Sequence, residues 1–392
     1  MSLRKRPSKI QFLLLNWQYI LGAIEDKTFQ GSVSPLYMST SFNFMDVDTK
    51  RYPRYFNTPN QEHLSKKIAA LEHAEAALIF GSGMAAITAT LLTFLKSGDH
   101  AVIQNDIYGG TRNFIESHFN NYGIEYSFTK DLSSEAFKEC FQSNTKLIYI
   151  ETPSNPLLKL VDIFAIAKLA KSYQITTAAD NTFASPIIQN PIDLGIDIVI
   201  HSATKYFGGH SDISAGAVAS SQEIMDKIWD LAKDFGGNLS DYTVWLLERS
   251  MKTLGIRMKA QQRNAKRLAK YLEKHPAVKS VFYPGLKSSE YHSLAKIQMK
   301  GFGAMLSFEL IDAYDSEKFL KNLKLIKPSM SLAGVESTML LPSKTSHALL
   351  SELDRQTQGI TDQLIRFSVG IETKKDLIND IEQAISANNL KK

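Results

Sequence analysis

The stretch AALIFGSGMAAITATLLTFLKSGDHAVIQN, residues 76–105, reads as a strand, a glycine turn, a helix and a second strand. AALIF is a short apolar run stopped by Gly81-Ser82-Gly83, MAAITATLLTFL has helical length, and HAVIQN is apolar again. Continuous apolar strands on either side of a helix suit a parallel sheet buried on both faces, since a half-exposed sheet would alternate polar and apolar residues. The same wording runs outward. SKKIAALEHAEA (65–76) is helical, and NFIESHFNNY (113–122), KLIYIE (146–151), FAIAKLAKSY (164–173), TTAAD (176–180) and DIVIHSA (197–203) continue the alternation. The fold class is therefore α/β, with a large, mostly parallel sheet covered by helices. In such sheets ligands collect where the carboxyl ends of strands meet the next loop, so functional residues belong just after the strands.

A chain of 392 residues exceeds one compact core, and two domains are expected. Residues 1–60 carry Pro35, Pro53 and Pro59 and little helical periodicity, which predicts an extended arm against a neighbouring subunit. Residues 61–250 make the catalytic domain. A helical stretch, 241–276, feeds a smaller C-terminal α+β domain at 251–392, broken by Pro276, Pro284 and Gly285 before AMLSFEL (304–310) and LINDIEQAI (377–385).

Hydrophobic residues at 44% and charged residues at 22% describe a folded globular chain. The +5 balance of 45 basic and 40 acidic residues is too small and dispersed for a nucleic-acid surface. Arg4, Lys5, Arg6 and Lys9 precede the apolar Phe12-Leu13-Leu14-Leu15, but Asn16, Trp17 and Gln18 interrupt that run, so no export signal is read. No apolar run approaches the roughly 18 residues of a membrane span, and the expected address is cytoplasmic. One cysteine, Cys140, excludes an intrachain disulfide framework and reads as a helix residue in EAFKECF. The histidines show no HExxH spacing, and no metal is assigned.

Two readings compete for Gly81-Ser82-Gly83-Met84. Glycines before a helix let an anion approach unpaired N–H groups, which suits a phosphate. GSGMAA also fits the relaxed dinucleotide pattern G-x-G-x-x-A, with Asp106 at the end of the next strand as the ribose acid, which would make a nicotinamide-dependent dehydrogenase. The later strand ends weigh against it. Ser202, Thr204 and Lys205 follow DIVIH: two hydroxyls suit a phosphate, and a lysine at the lip can condense with an aldehyde. Asp180 ends TTAAD, where an acid can keep a pyridinium nitrogen protonated. Tyr108 in NDIYGGT falls on the same rim, either as an exposed loop tyrosine or as a ring stacked on a cofactor. Asn155 in ETPSNP is either a turn residue before Pro156 or an amide donor to a phenolic oxygen.

The segments SATKYFGGHSD, AADNTFASP, ETPSNP, GSGMAAI, NDIYGG, MSLAGVES and LIRFSVGIE together resemble the Cys/Met-metabolism family of pyridoxal-5′-phosphate (PLP) enzymes, from about Gly31 to Ile385. That family includes cystathionine γ-synthase, cystathionine β- and γ-lyases, methionine γ-lyase and homoserine-ester sulfhydrylases. The resemblance implies the PLP-dependent transferase fold type I and a homotetramer built from dimers with shared active sites. It makes Lys205 the lysine that binds PLP and carries protons, Asp180 the partner of the ring nitrogen, and Tyr108 the stacked aromatic and acid/base group. Gly83, Met84, Ser202 and Thr204 would hold the phosphate, with Tyr52 and Arg54 reaching in from the adjacent subunit. Asn155 would face cofactor and substrate. Arg366 in LIRFSVG would grip the substrate α-carboxylate, and Ser331 in MSLAGVES would line the substrate site.

Two places depart from the family pattern. The loop Tyr55-Phe56-Asn57-Thr58-Pro59 has its proline shifted by one position. Met330 stands where cystathionine synthases and γ-lyases tend to carry an acid and methionine γ-lyases an apolar residue. This tilts the expected reaction to a C–S lyase of an amino acid, giving a 2-oxo acid, ammonia and a thiol. A γ-replacement transferase is the alternative.

Overall fold

The fold is that of a computed structural model describing residues 24–348 and 351–388. The basic cluster and the apolar run at 12–15 lie outside the described residues. Seven strands form the first sheet: β1 (Ala76–Phe80), β2 (His100–Ile103), β3 (Glu125–Phe128), β4 (Thr145–Glu151), β5 (Thr176–Asp180), β6 (Ile198–His201) and β7 (Gly216–Ser220), in the order β1-β7-β6-β5-β4-β2-β3. β6, β5, β4, β2 and β3 are mutually parallel, whereas β7 runs antiparallel to both β6 and β1.

Both faces of this sheet are buried, as continuous apolar strands require. Leu147 and Tyr149 of β4 pack into one cluster with Leu91 and Ile103, while Ile148 and Ile150 pack into another with Ile163 and Ile166. Each fully buried aliphatic side chain of this kind contributes about 1.5–3 kcal/mol.

A second sheet holds β8 (Val278–Phe282), β9 (Met305–Leu310), β10 (Lys327–Pro328), β11 (Thr338–Leu340) and β12 (Leu364–Ser368), in the order β10-β11-β12-β9-β8. It has its own core, in which Phe308, Phe319, Phe367 and Ile381 meet Leu268 and Leu272 of the helix Leu254–Leu272.

Several expectations are corrected. AALIF is a strand, but its partner is β7, AGAVAS in the sequence, which the reading of apolar runs passed over. The helix expected at 65–76 spans Pro59–Glu72. It starts early because Pro59 occupies its first turn, where its missing N–H costs nothing, and Thr58 and Gln61 form a reciprocal capping box. It stops at His73, whose φ of 59° is left-handed. The single helical stretch at 241–276 is two helices, Asp241–Met251 and Leu254–Leu272. Residues 24–52 contain no helix or strand and expose Phe29, Met38, Phe44 and Met45. Cys140 caps the helix Ser134–Glu139, and burial raises its thiol pKa.

Candidate active site

β4, β5 and β6 end side by side, and a cavity of about 600 Å³ opens at their carboxyl ends. Ser82 caps the helix Gly83–Phe94 by accepting from Ala85 N–H at 3.1 Å, which leaves the N–H groups of Gly83 and Met84 at the cavity wall without intrahelical partners. Only glycine fits at 83, because a Cβ there would lie 2.8 Å from Cβ of Ser202. The helix start is thereby pressed onto the turn after β6. Ser202 is fixed by its N–H donating to the Thr182 hydroxyl at 2.8 Å, and Thr204 by its hydroxyl donating to Ala215 carbonyl at 3.1 Å.

Lys205 projects into the cavity, with Nζ donating to Ser331 Oγ at 2.9 Å. Burial, helped by the charge of Arg366, lowers its pKa to about 8. An amine so shifted has a far larger free-base fraction near neutrality than an exposed lysine. Ser331 has a φ of 72°, a left-handed conformation that a non-glycine residue holds only when its surroundings enforce it. Arg366 supplies part of that enforcement, donating from Nη2 to Ser331 carbonyl at 2.8 Å and from Nη1 to Asn155 Oδ1 at 3.1 Å. Burial lowers Arg366 to about 10, so it remains cationic, and its Nε has no hydrogen-bond partner among the described residues.

Asp180 forms part of the cavity lining, with Oδ1 accepting from Thr182 N–H at 2.8 Å. Burial raises its pKa, opposed by the Thr182 hydrogen bonds and by nearby His201. Tyr108 also lines the cavity and is 44% exposed. Its ring lies over Gly110, where a Cβ would come within 2.5 Å of Cε1.

Ten of the twelve residues singled out from the sequence thus meet in one cavity: Gly83, Met84, Tyr108, Asn155, Asp180, Ser202, Thr204, Lys205, Ser331 and Arg366. Tyr52 and Arg54 do not. The Arg54 guanidinium donates to Lys233 carbonyl at 2.5 Å and sits over the rings of Tyr52 and Tyr55 at 5.8 and 5.3 Å. Asp106 is no ribose ligand. It is buried, with its oxygens taken by Ser154 at 2.7 Å and Gln104 at 2.9 Å.

Sequence reasoning missed Glu151, which lines the cavity, and His347, which is buried beside Ser346 with its pKa pushed down to about 4 by burial and by Arg366. Glu151 had a legible signal, a carboxylate closing the otherwise apolar strand KLIYIE. His347 had none.

Unpaired helix N–H groups beside the Ser202 hydroxyl, a depressed lysine and a half-buried carboxylate with no ion pair among the described residues fit the phosphate, aldehyde and ring nitrogen of PLP. The fold and site define a PLP-dependent enzyme on an α/β scaffold. The sequence matches the family model described as Cys/Met metabolism PLP-dependent enzyme over residues 19–386, and the chain belongs to that family. It is 43% identical over 370 residues to cystathionine gamma-lyase of Bacillus subtilis, covering 93% of this chain and 97% of that protein. The solved structure of cystathionine gamma-lyase from Lactobacillus plantarum complexed with L-serine superposes with a TM-score of 0.92 at 38% identity, covering 96% and 100% of the two chains. Cystathionine gamma synthase from Xanthomonas oryzae pv. oryzae, in complex with aminoacrylate and cysteine, gives 0.91 at 34% identity, covering 95% and 98%.

Proposed function

We propose that this chain is a PLP-dependent carbon–sulfur lyase acting on cystathionine, methionine or a related amino acid and releasing a 2-oxo acid, ammonia and a thiol. The observation that carries it is the joint placement of Lys205 and Arg366 in one cavity, which supplies an amine beside an anchor for an amino-acid carboxylate. Bound there, PLP supplies the electron sink for charge that develops at the substrate α-carbon. The chain's residues do the rest. Gly83, Met84, Ser202 and Thr204 would hold the phosphate, and Asp180 would pair with the ring nitrogen and keep it protonated. Arg366 orients the α-carboxylate through its planar fork of donors while Asn155 holds the guanidinium. Lys205 Nζ would take the α-proton and return it further along the substrate, and Tyr108 would cover the ring and exchange protons with the leaving group.

The cofactor-binding domain comprises residues 61–250 and the C-terminal domain residues 251–392. The arm of residues 1–60, whose described part exposes Phe29, Met38, Phe44 and Met45, packs on a second copy, where Tyr52 and Arg54 complete the neighbour's phosphate site. The protein works in the cytoplasm as a tetramer built from two such pairs.

Met330, apolar and exposed at the cavity mouth, favours elimination over capture of a second amino acid. The likeness to a cystathionine gamma synthase supports γ-replacement as a second reading. Purified enzyme given cystathionine separates them. Pyruvate marks a β-lyase and 2-oxobutanoate a γ-lyase, whereas a synthase accumulates cystathionine from a homoserine ester and cysteine. An enzyme with no visible PLP absorption and no oxo-acid product would overturn the proposal.

A further inference from the structure

Glu151 is unlike Asp180, the other carboxylate lining the cavity, because its surroundings are already committed. It closes β4 directly beside Asp180 at the end of β5, the two being Cα partners in parallel strands with both side chains on the cavity face. Its backbone is clamped by Gln104, whose Oε1 accepts from Glu151 N–H at 2.9 Å and whose Nε2 donates to Glu151 carbonyl at 2.9 Å. Its side chain reaches across the strand ends. Oε2 accepts from Tyr108 N–H at 2.8 Å, and Oε1 lies 3.1 Å from the Tyr149 hydroxyl. The cavity therefore rests one wall, the Tyr108 loop, on this carboxyl.

The charges around it explain its state. Asp180 flanks it from β5, Asp106 stands beyond it in the loop after β2, and Tyr149 backs it from β4. The basic groups nearby serve others: His201 acts on Asp180 and Lys159 on Asp106. No ion pair to Glu151 occurs among the described residues. Two adjacent carboxyls, one buried and one half-buried, with no ion pair to either among the described residues cannot both ionise at modest cost. Burial, and next the charge of Asp180, push Glu151 well above its ordinary value, while Asp180 is raised by burial but helped back by Thr182 and His201.

Resting on the PLP reading above, we propose that Glu151 is a positioning residue, a neutral acid that pins the backbone of Tyr108 and leaves the single negative charge of the pair on Asp180. A protonated Glu151 donates to the Tyr149 hydroxyl oxygen and still accepts from Tyr108 N–H, so both contacts survive without charge. Asp180 then meets the ring nitrogen as the only anion at that end of the cavity.

The test uses full-length protein stripped of cofactor and titrated with PLP by visible absorption. Wild type must develop a visible band; if it does not, the PLP reading fails before the variants are compared. Glu151→Gln keeps the acceptor and the neutrality and should bind PLP within a few-fold of wild type. Glu151→Ala abandons the Tyr108 N–H and should bind about tenfold or more weakly, with KM raised more than kcat falls. Infrared difference spectra of the apoproteins should show a protonated-carboxyl band in wild type that Glu151→Gln lacks, a readout independent of whether Glu151→Ala folds. The inference is overturned if Glu151→Gln loses affinity as Glu151→Ala does, if it gains tenfold or more by relief of a second anion, or if no protonated-carboxyl band separates it from wild type.

Discussion

Arg366 Nη1 donates to Asn155 Oδ1 at 3.1 Å, and that bond joins the two sheets, because Asn155 follows β4 of the first and Arg366 is central in β12 of the second. The second contact of Arg366, to Ser331 carbonyl, holds the residue that meets Lys205. Arg366, the proposed carboxylate anchor, and the amine of Lys205 are therefore set relative to each other by a short chain of hydrogen bonds.

Replacing the fork tests this. Arg366→Lys keeps the charge but cannot make both contacts, so kcat/KM should fall about 10- to 100-fold, carried mainly by KM. Steady-state kinetics check it, and an unchanged KM would move the carboxylate site elsewhere.

Lys205→Ala should abolish the visible band of the bound cofactor and essentially all turnover while the far-ultraviolet spectrum stays native, since the tether and the proton carrier are one amine. The wild-type amine has its pKa lowered to about 8, and only its free base attacks an aldehyde. The rate of PLP capture by the apoprotein should therefore rise with pH up to about 8 and level off above it. Stopped-flow absorbance measures this, and a rise continuing to pH 10 would show an ordinary lysine.

Gly83→Ala places a Cβ 2.8 Å from Ser202 Cβ and 3.0 Å from its Cα. One side or the other must shift, at a cost of about 1–3 kcal/mol. The shift falls on the proposed phosphate corner, so the variant should lose PLP on dialysis faster than wild type. Equal retention would place the phosphate away from this helix start.

Arg54 is turned from the cavity of its own chain, and the proposed shared site makes this testable by mixing. Arg54→Ala and Lys205→Ala chains are each nearly inactive, but a mixed dimer has one site with both residues. Random pairing makes half the dimers mixed, so activity near one quarter of wild type is the rough expectation for an isologous pair. Mixed dimers, proved by differential tags, that recover nothing would place the arm's action within one chain.

The sequence made β2, β4, β5 and β6 legible because they are largely apolar runs bounded by turn residues, while the roles of Tyr108, Asn155, Ser331 and Arg366 came from the family resemblance. β7 escaped notice because it is a run of glycine, alanine and serine around Val218, apolar by burial rather than by side-chain size. The antiparallel pairing of AALIF with it is a long-range choice that local pattern does not encode. β3, EYSF, is an edge strand with partly exposed residues and lacks the apolar signature of its neighbours. Lys205 and Asp180 could be read because strand ends concentrate ligands. Glu151 was overlooked although its place at the end of a largely apolar strand was a signal, because its partner, the Tyr108 N–H, lies in a different loop.

Arg366 stands close to the end of the 392-residue chain. β12 lies between β9 and β11, so it takes its place only after every strand of the first sheet and the other strands of the second have been made. A growing chain already carries Lys205 long before Arg366 can be set beside it. Translation that stops short of β12 leaves a product with the amine but without the anchor proposed for the substrate.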